Sequence, residues 1–554
     1  MRMGIKSYIR ERVIGAVRYA IREELSANGY NLQTCSNGGD KTLEQMEEEI
    51  VQRLDKQIER WTWERYKRTN SLFEVLGYDL EHDLSNGIEN MEKRIKIVNE
   101  KEIGTIKDTV DEKVKYWTAK RFDQTDKQIE RWTWERYKRS EDKLLYIYKL
   151  QNQISELLFQ EKKVLYQPGE KVRIVFLFQV ASFFPSWESF YKACLEDDRI
   201  DAKFLFLDET VRERVQMKTA KDFLNTQEIE YIDFDDFDIN TYKPHVIVVQ
   251  TPYDAGHRIK AHWSSAWKAQ GYRVVYIPYG IEISDTETSH GMHFEQHVIE
   301  NAWRVYTFSD VMLKDYRKYC LNAGNVRVLG LPKFDSLYYK ERFKLDEELV
   351  KQIAGRKVCL WKVHFPKIFI ENGKDMFVTP DVYEYIKFAE YAAEHKEIFF
   401  IFMPHPRFQE PVKNQKLQQL AIELMNKLEN VDNVYIDKKD DYRYSLVNAD
   451  FIIIDRSAVM VEAAAIGVPI LYMVNTEFYE PVTKAIEPLI NSYEQGSTCA
   501  DMISFTEACL RGEDRNKECR VHAFETCIPY FDGKAGERIK NDIYDSVTNE
   551  ILSE

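Results

Sequence analysis

The 554-residue chain has eight cysteines and no spacing among them that makes a site. Cys35, Cys194, Cys320, Cys359, Cys499, Cys509, Cys519 and Cys527 include no CxxC pair, and their separations fit no zinc template. Long apolar runs are also missing: no window approaches the ~18 uninterrupted apolar residues of a membrane-spanning helix. The opening MRMGIKSYIRERVIGAVRYAIREE contains no apolar h-region, so no signal peptide is expected and the reducing cytoplasm is the expected compartment. There is no basic excess either. The formal net charge is −14, a poor basis for neutralising phosphates along a nucleic acid, so no nucleic-acid partner is expected. Proline is absent from 41 to 165, a stretch rich in Glu, Lys, Arg and Gln that reads as long helices.

What is present allows large cores. Hydrophobic residues are 44% and charged residues 31%, which excludes global disorder, and the length suggests about three or four units. Residues 1–40 read as a basic amphipathic helix and a loop. Ile5, Ile9, Val13, Val17 and Ala20 fall at helical spacing, beside Arg2, Lys6, Arg10, Arg12, Arg18 and Arg22. Such a helix either lies on an anionic membrane surface or packs its stripe on the protein. Residues 41–165 form the expected helical arm, in which DKQIERWTWERYKR occurs at 55–68 and again, letter for letter, at 126–139. The duplicated Trp, Tyr and Arg residues suit packing between helices or subunits, or an interfacial surface, and are compatible with homo-oligomers formed through the arm.

The pattern changes at Tyr166-Gln167-Pro168-Gly169, a turn signal. Apolar runs typical of buried parallel strands follow, alternating with helical stretches. One series runs KVRIVFLF, KFLFL, HVIVVQ, YRVVYI, RVYTF and VRVLG. A second runs KVCLWKV, IFFIFM, NVYI, DFIII and PILYM. The expected fold class is α/β, with two doubly wound Rossmann-like domains at 166–345 and 346–554 behind the helical arm. A final helix near 533–548 is expected to return toward the first domain.

Ligands of such sheets bind at the carboxyl ends of the strands, and four clusters of the second series fall there. MPHPR offers His405 and Arg407, an imidazole and a guanidinium suited to a phosphate and stiffened by flanking prolines. DFIIIDRSAVMVEAAAIGVPILYM places Asp455, Arg456 and Ser457 at a strand end, with Ser457 as the expected cap of a helix whose free N–H groups would cradle a diphosphate and Glu462 reaching for a ribose hydroxyl. LWKVHF contributes Lys362 and His364. FDGKAGERI contributes Asp532, Gly533 and Lys534, with glycines that would let backbone N–H groups approach a ligand. In the first series, GLPKFDSL with Lys333 lies at the domain crossing. SHGMHFEQH carries His290, His293 and His297 at a spacing that predicts one helical face, read as polar contacts rather than a metal site. No metal-binding carboxylate pair stands out, so no metal or other cofactor is expected; loss of activity on chelation would count against this.

Together, GLPKFD, HPR, DRSAVMVEAAAIGVPILYM and DGKAGERI, in that order across about 170–545, resemble the CDP-glycerol glycerophosphotransferase family, the teichoic-acid primases and polymerases. The resemblance implies a GT-B-like fold and transfer of a polyol phosphate from a CDP-activated donor to a lipid-linked polymer acceptor at the inner face of the cell membrane, by a peripheral cytoplasmic enzyme. It implies that His405 and Arg407 contact the donor diphosphate, that Asp455, Arg456 and Ser457 line the same site, and that DGKAGER closes the nucleotide end. The family places a His before Gly in a WHGT-like segment as candidate base; here IPYGIE has Tyr279 before Gly280, and a phenol is a weak base at neutral pH. The base is then Tyr279, His290, His293, Glu282 or Asp285, or there is none. The rival readings are a nucleotide-sugar glycosyltransferase of capsule synthesis, a sugar-nucleotide epimerase, and a non-catalytic scaffold with a degenerate core.

Overall fold

In a computed structural model, the described residues are 153 and 155–550, apart from 210–213, 366–367, 372–373, 378–379, 409–414 and 477–479. Residues 1–152, which hold the basic helix and both copies of the repeat, lie outside them. The unit Ser155–Glu554 contains two parallel α/β sheets. The first has seven strands in the order β3-β2-β1-β4-β5-β6-β7. They are β1 (Val172–Phe178), β2 (Ile200–Phe206), β3 (Ile232–Asp233), β4 (Val246–Val249), β5 (Arg273–Tyr276), β6 (Arg304–Thr307) and β7 (Val326–Val328). The second has six strands in the order β12-β11-β8-β13-β14-β15. They are β8 (Lys357–Val363), β11 (Ile398–Pro404), β12 (Val434–Ile436), β13 (Phe451–Ile454), β14 (Ile470–Met473) and β15 (Glu494–Gly496). Both orders reverse beside the first strand of their domain, so each domain has a switch-point crevice, between β1 and β4 and between β8 and β13. The doubly wound expectation holds. An antiparallel hairpin, β9 (Ile368–Glu371) and β10 (Lys374–Phe377), follows β8 and was not expected.

The apolar runs become strands because both faces of each sheet are covered. Along β8, Leu360 joins the core that extends through the first domain, while Cys359, Trp361 and Val363 join a second core on the opposite face, as the two-residue period of a strand requires. The last helix, Ala535–Asn549, crosses back to the first domain as expected. Its Ile539, Ile543 and Val547, four residues apart, are fully buried. Each such side chain contributes roughly 1.5–3 kcal/mol. Tyr306 Oη donates to Asp542 at 2.7 Å, and Arg273 pairs with Glu550. Among the described residues no helix is long and apolar enough to cross a membrane.

Three ties join the domains near the crossing. The antiparallel bridge between Ser284 and Val482 is flanked by Thr483 N–H donating to Ile283 O and Asp285 N–H donating to Pro481 O, both at 2.9 Å. Glu188, on the helix Glu188–Leu195, pairs with Arg443, with Arg342 at 2.7 Å and with Lys192 at 2.7 Å. Burial pushes the Glu188 carboxyl up, but the three cations outweigh that and hold it at about 2. Lys333 pairs with Glu462 at 2.6 Å, both buried.

Candidate functional site

The second domain's crevice gathers residues from three of the four expected clusters. β8 and β11 are neighbours, so His364 and His405 leave adjacent strand ends. Their ring centroids lie 4.7 Å apart, and Phe365 lies 4.8 Å from His405. The Arg407 guanidinium lies 5.0 Å over the Phe365 ring. Lys362 Nζ, buried beneath, donates to Val363 O at 3.3 Å. On the other side of the crevice, Asp455 is fully buried; it accepts the His364 N–H at 2.7 Å and the Tyr385 hydroxyl at 3.2 Å. Burial pushes the Asp455 carboxyl up and the Lys362 ammonium down. Asp455 therefore orients the end of β8 from below.

The hydrogen bonds assign complementary roles to the two imidazoles. The Arg407 N–H donates to His405 Nδ1 at 3.1 Å, so a neutral His405 carries its proton on Nε2 and is a donor there. His364 Nδ1 lies 2.9 Å from the Phe365 carbonyl, which can only accept, so His364 Nε2 is an acceptor. Burial first, then the neighbouring His364, Lys362 and Arg407, push His405 down to about 2. At neutral pH it is a hydrogen-bond donor without charge.

This links His405 to stability. Its folded value of about 2 stands against an unfolded value of about 6.5. Below about 6.5 the unfolded chain therefore binds the extra proton, and stability falls as the pH falls. His405→Asn will flatten this acid limb by up to about 1.4 kcal/mol per pH unit between about pH 5 and 6.5, read from urea midpoints across a pH series. An unchanged slope would mean that the imidazole is solvated in the folded chain.

The DRSA turn differs from expectation. The helix begins at Val459, with Ala458 at its N-cap, and ends at Ala464. Ser457 stands one residue earlier, and its Oγ receives only the Val459 N–H, at 3.4 Å. Arg456 is spent on structure. It pairs with Glu480 at 2.8 Å and donates to Glu480 O, Pro481 O and Ser284 Oγ at 3.0 Å, locking the turn to the strap between the domains. Glu462, expected at a ribose, is instead buried between Lys333 and the Tyr442 hydroxyl.

The DGKAGER segment is also corrected. The N–H groups of Ala535 and Gly536, expected at a ligand, donate to the Asp335 carboxylate of GLPKFD at 3.0 and 2.8 Å, which Ser189 Oγ also reaches at 2.7 Å. Both glycines are explained by protein neighbours. Gly533 has φ +75, and a Cβ there would stand 2.7 Å from Tyr339; a Cβ on Gly536 would stand 2.4 Å from the Ser189 backbone. Asp532 accepts the Lys534 N–H at 3.1 Å and pairs with Arg538 at 2.7 Å. The two motifs meet as a joint between helices.

In the first domain the three histidines do not share a helical face. The helix Glu287–His293 ends before His297, which opens the helix His297–Asn301. His290 contacts Asp285 at 2.7 Å and stacks on Tyr319. His293, which burial pushes down to about 4, lies 3.9 Å from Glu282. His297 contacts Asp254 at 2.9 Å. Among the described residues no three His, Cys, Asp or Glu side chains converge as a metal site would require.

Sequence reasoning missed what fills the first crevice. Gln250, at the end of β4, receives the N–H groups of Gln179 and Val180 at 2.9 and 2.7 Å. Arg258 pairs with Asp254 at 3.0 Å and donates to Thr251 O at 2.8 Å. The polar string QTPYDAGHR after an apolar strand was the available signal. Beside this network, Tyr279 stacks on Phe183 with centroids 3.8 Å apart and planes at 16°. Its hydroxyl lies 3.2 Å from that of Tyr253. Lys333 Nζ donates to Tyr279 O at 2.9 Å.

No family model matches the sequence. A UDP-N-acetylglucosamine 2-epimerase of Campylobacter jejuni is 25% identical over 242 residues, which cover 42% of this chain and 57% of that protein's own length. Among solved structures, S. aureus MnaA with UDP is 17% identical and aligns over 68% of this chain and 96% of its own, with a TM-score of 0.47. The Neisseria meningitidis UDP-GlcNAc 2-epimerase bound to UDP-GlcNAc is 14% identical over 67% and 100% of the two chains, with a TM-score of 0.46. A variant of the wall teichoic acid polymerase TagF is 11% identical over 74% and 96%, with a TM-score of 0.45.

Proposed function

We propose that this chain is a transferase of bacterial-type surface-polymer synthesis. It takes a CDP-activated polyol phosphate, glycerol phosphate or a close analogue, and passes it to the hydroxyl of a lipid-linked acceptor at the inner membrane face. The observation that carries the reading is the meeting of Lys362, His364, His405 and Arg407 at the adjacent ends of β8 and β11, beside the β8/β13 crevice. Two phosphates are the ligand that this set of donors and cations suits. The acceptor oxygen attacks the phosphorus of the transferred group, the bond to the bridging oxygen breaks, and CMP leaves. Arg407, with Lys362 behind it, offsets the charge growing on the leaving phosphate, and His405 Nε2–H hydrogen-bonds the same oxygens. The acceptor's proton passes to a base from the set Tyr279, His290, His293, Glu282 and Asp285. The order of the motifs GLPKFD, HPR, DRSA and DGKAGER supports the choice of a polyol-phosphate donor.

A second reading keeps the site and changes the donor to a UDP-sugar, with UDP leaving. It is favoured by the 25% identity over 242 residues to an enzyme named for UDP-N-acetylglucosamine. Thermal-shift and calorimetric titration of the full chain with CDP-glycerol, CDP-ribitol, CMP, UDP-N-acetylglucosamine and UDP separates the two. A shift is expected with the cytidine ligands, lost in Arg407→Ala and His405→Ala. A shift with uridine ligands alone transfers the assignment to the sugar donor, and silence with all five sinks both.

A further inference from the structure

We propose that Phe183, Tyr253 and Tyr279 form a sugar-stacking subsite on the first domain that seats the terminal ring of a glycan acceptor facing the donor crevice. This rests on the transferase reading for assigning the ring to the acceptor.

Three observations meet here. The first is position. Phe183 lies in the short helix Ala181–Ser186 after β1, Tyr253 follows β4, and Tyr279 follows β5. All three stand at carboxyl ends of the first sheet, where open α/β sheets take ligands. Tyr279 is also next to Gly280, where a Cβ would lie 3.7 Å from Ala458 of the DRSA turn. The surface thus faces the second domain's strand ends.

The second is the rings' relation to the core. Phe184 and Tyr276, their sequence neighbours, are buried in the first domain's core, but Phe183, Tyr253 and Tyr279 belong to neither core. They are half-buried, and they are organised around one another. Phe183 and Tyr279 are stacked, and Tyr253 stands edge-on to Tyr279 at 6.4 Å and 66°. Large apolar surface held rigid outside a core, with a polar tip, suits a ligand that is apolar on one face and polar at its rim.

The third is charge. Among the described residues, Lys333 pairs with Glu462, Asp254 with Arg258 and His297, and Arg456 with Glu480, while the His257 ring packs on Tyr253 at 5.4 Å. The rings thus present an aromatic surface with a polar rim, where the Tyr253 and Tyr279 hydroxyls meet at 3.2 Å, and the charges named beside it are held in pairs. A phosphate gains nothing there. A pyranose, with axial C–H groups on one face and hydroxyls at its edge, matches both components. On this assignment Tyr279 binds the acceptor and does not act as the base.

The test is saturation-transfer NMR on the full chain, irradiating protein aromatic protons, with methyl β-N-acetylglucosaminide as probe, cytidine as rival and glycerol as a polyol without a ring. Transfer to the ring C–H protons of the glycoside is expected. Tyr279→Ala and Phe183→Ala should abolish it; Tyr279→Phe, which keeps the stack, and Arg407→Ala, which alters only the donor crevice, should retain it. Tyr253→Phe removes a hydroxyl and no ring and should weaken it, which keeps the test valid if an alanine variant does not fold. No transfer to the glycoside in the parent chain, or transfer that survives Tyr279→Ala and Phe183→Ala, overturns the subsite. Cytidine saturated in its place, with the same sensitivity, makes it a base platform and also overturns the proposal. If the nucleotide titrations are silent while the glycoside signal behaves as expected, the donor reading fails and the subsite stands.

Discussion

Glu462→Ala will lower the stability of the chain by about 3–5 kcal/mol, the range found when one partner of a buried ion pair is removed. Glu462 and Lys333 are 1% and 2% exposed and 2.6 Å apart. The carboxylate also takes the Tyr442 hydroxyl, and the ammonium also donates to Tyr279 O. Deleting the carboxylate leaves an ammonium that water does not reach and a phenol without its acceptor. The loss should be seen as a lower urea midpoint with the transition slope kept. Because the pair ties the Pro332–Tyr338 helix of the crossing to the Val459–Ala464 helix behind the DRSA turn, the variant should also loosen the crevice and weaken nucleotide binding. The double variant Lys333→Met/Glu462→Leu should recover part of the stability, since it removes both charges and fills the volume. A loss under about 1 kcal/mol, as for solvent-exposed pairs, would show that water solvates the pair.

The fold was legible wherever burial on both sheet faces wrote itself into the sequence. KVRIVFLF and DFIII became β1 and β13 because parallel strands covered by helices need an unbroken apolar run. β3 and β15 were missed because a strand of two or three residues at a sheet edge, such as Ile232–Asp233 or Glu494–Gly496, buries too little to leave a pattern. The hairpin Ile368–Phe377 was missed although its signal was present: Asn372-Gly373 between two short runs is a strong two-residue turn pair.

At the site, each phosphate-suited residue could be found at a strand end, but their grouping could not. That β8 lies between β11 and β13 is a property of strand order, and it brings His364 to His405 and Asp455 beneath His364. The opposite failure occurred at Glu462, Gly533 and Gly536. A polar residue near a glycine at a helix start reads alike whether it serves a ligand or another helix. The partners that decide it, Lys333, Tyr339 and Asp335, lie well over a hundred residues away in the chain.

Asp335→Ala tests this last distinction and should cost about 2–4 kcal/mol. The carboxylate accepts the N–H groups of Ala535 and Gly536 and the hydroxyl of Ser189. Both amides are buried, and each buried donor left without an acceptor costs about 1–3 kcal/mol, partly recovered where the helix end frays toward water. Burial pushes the Asp335 carboxyl up, against the donors that hold it down. Asp335→Asn keeps the shape but turns an NH2 toward at least one N–H, and should recover little. If Asp335 serves only this joint, the alanine variant will unfold at lower urea while the folded protein keeps its nucleotide-induced shift, because His405 and Arg407 stand on other elements. Loss of nucleotide binding with an unchanged urea midpoint would reverse the assignment: the DGKAGER segment would then touch the donor, and the helix N–H groups would have a ligand rather than Asp335 as their working partner.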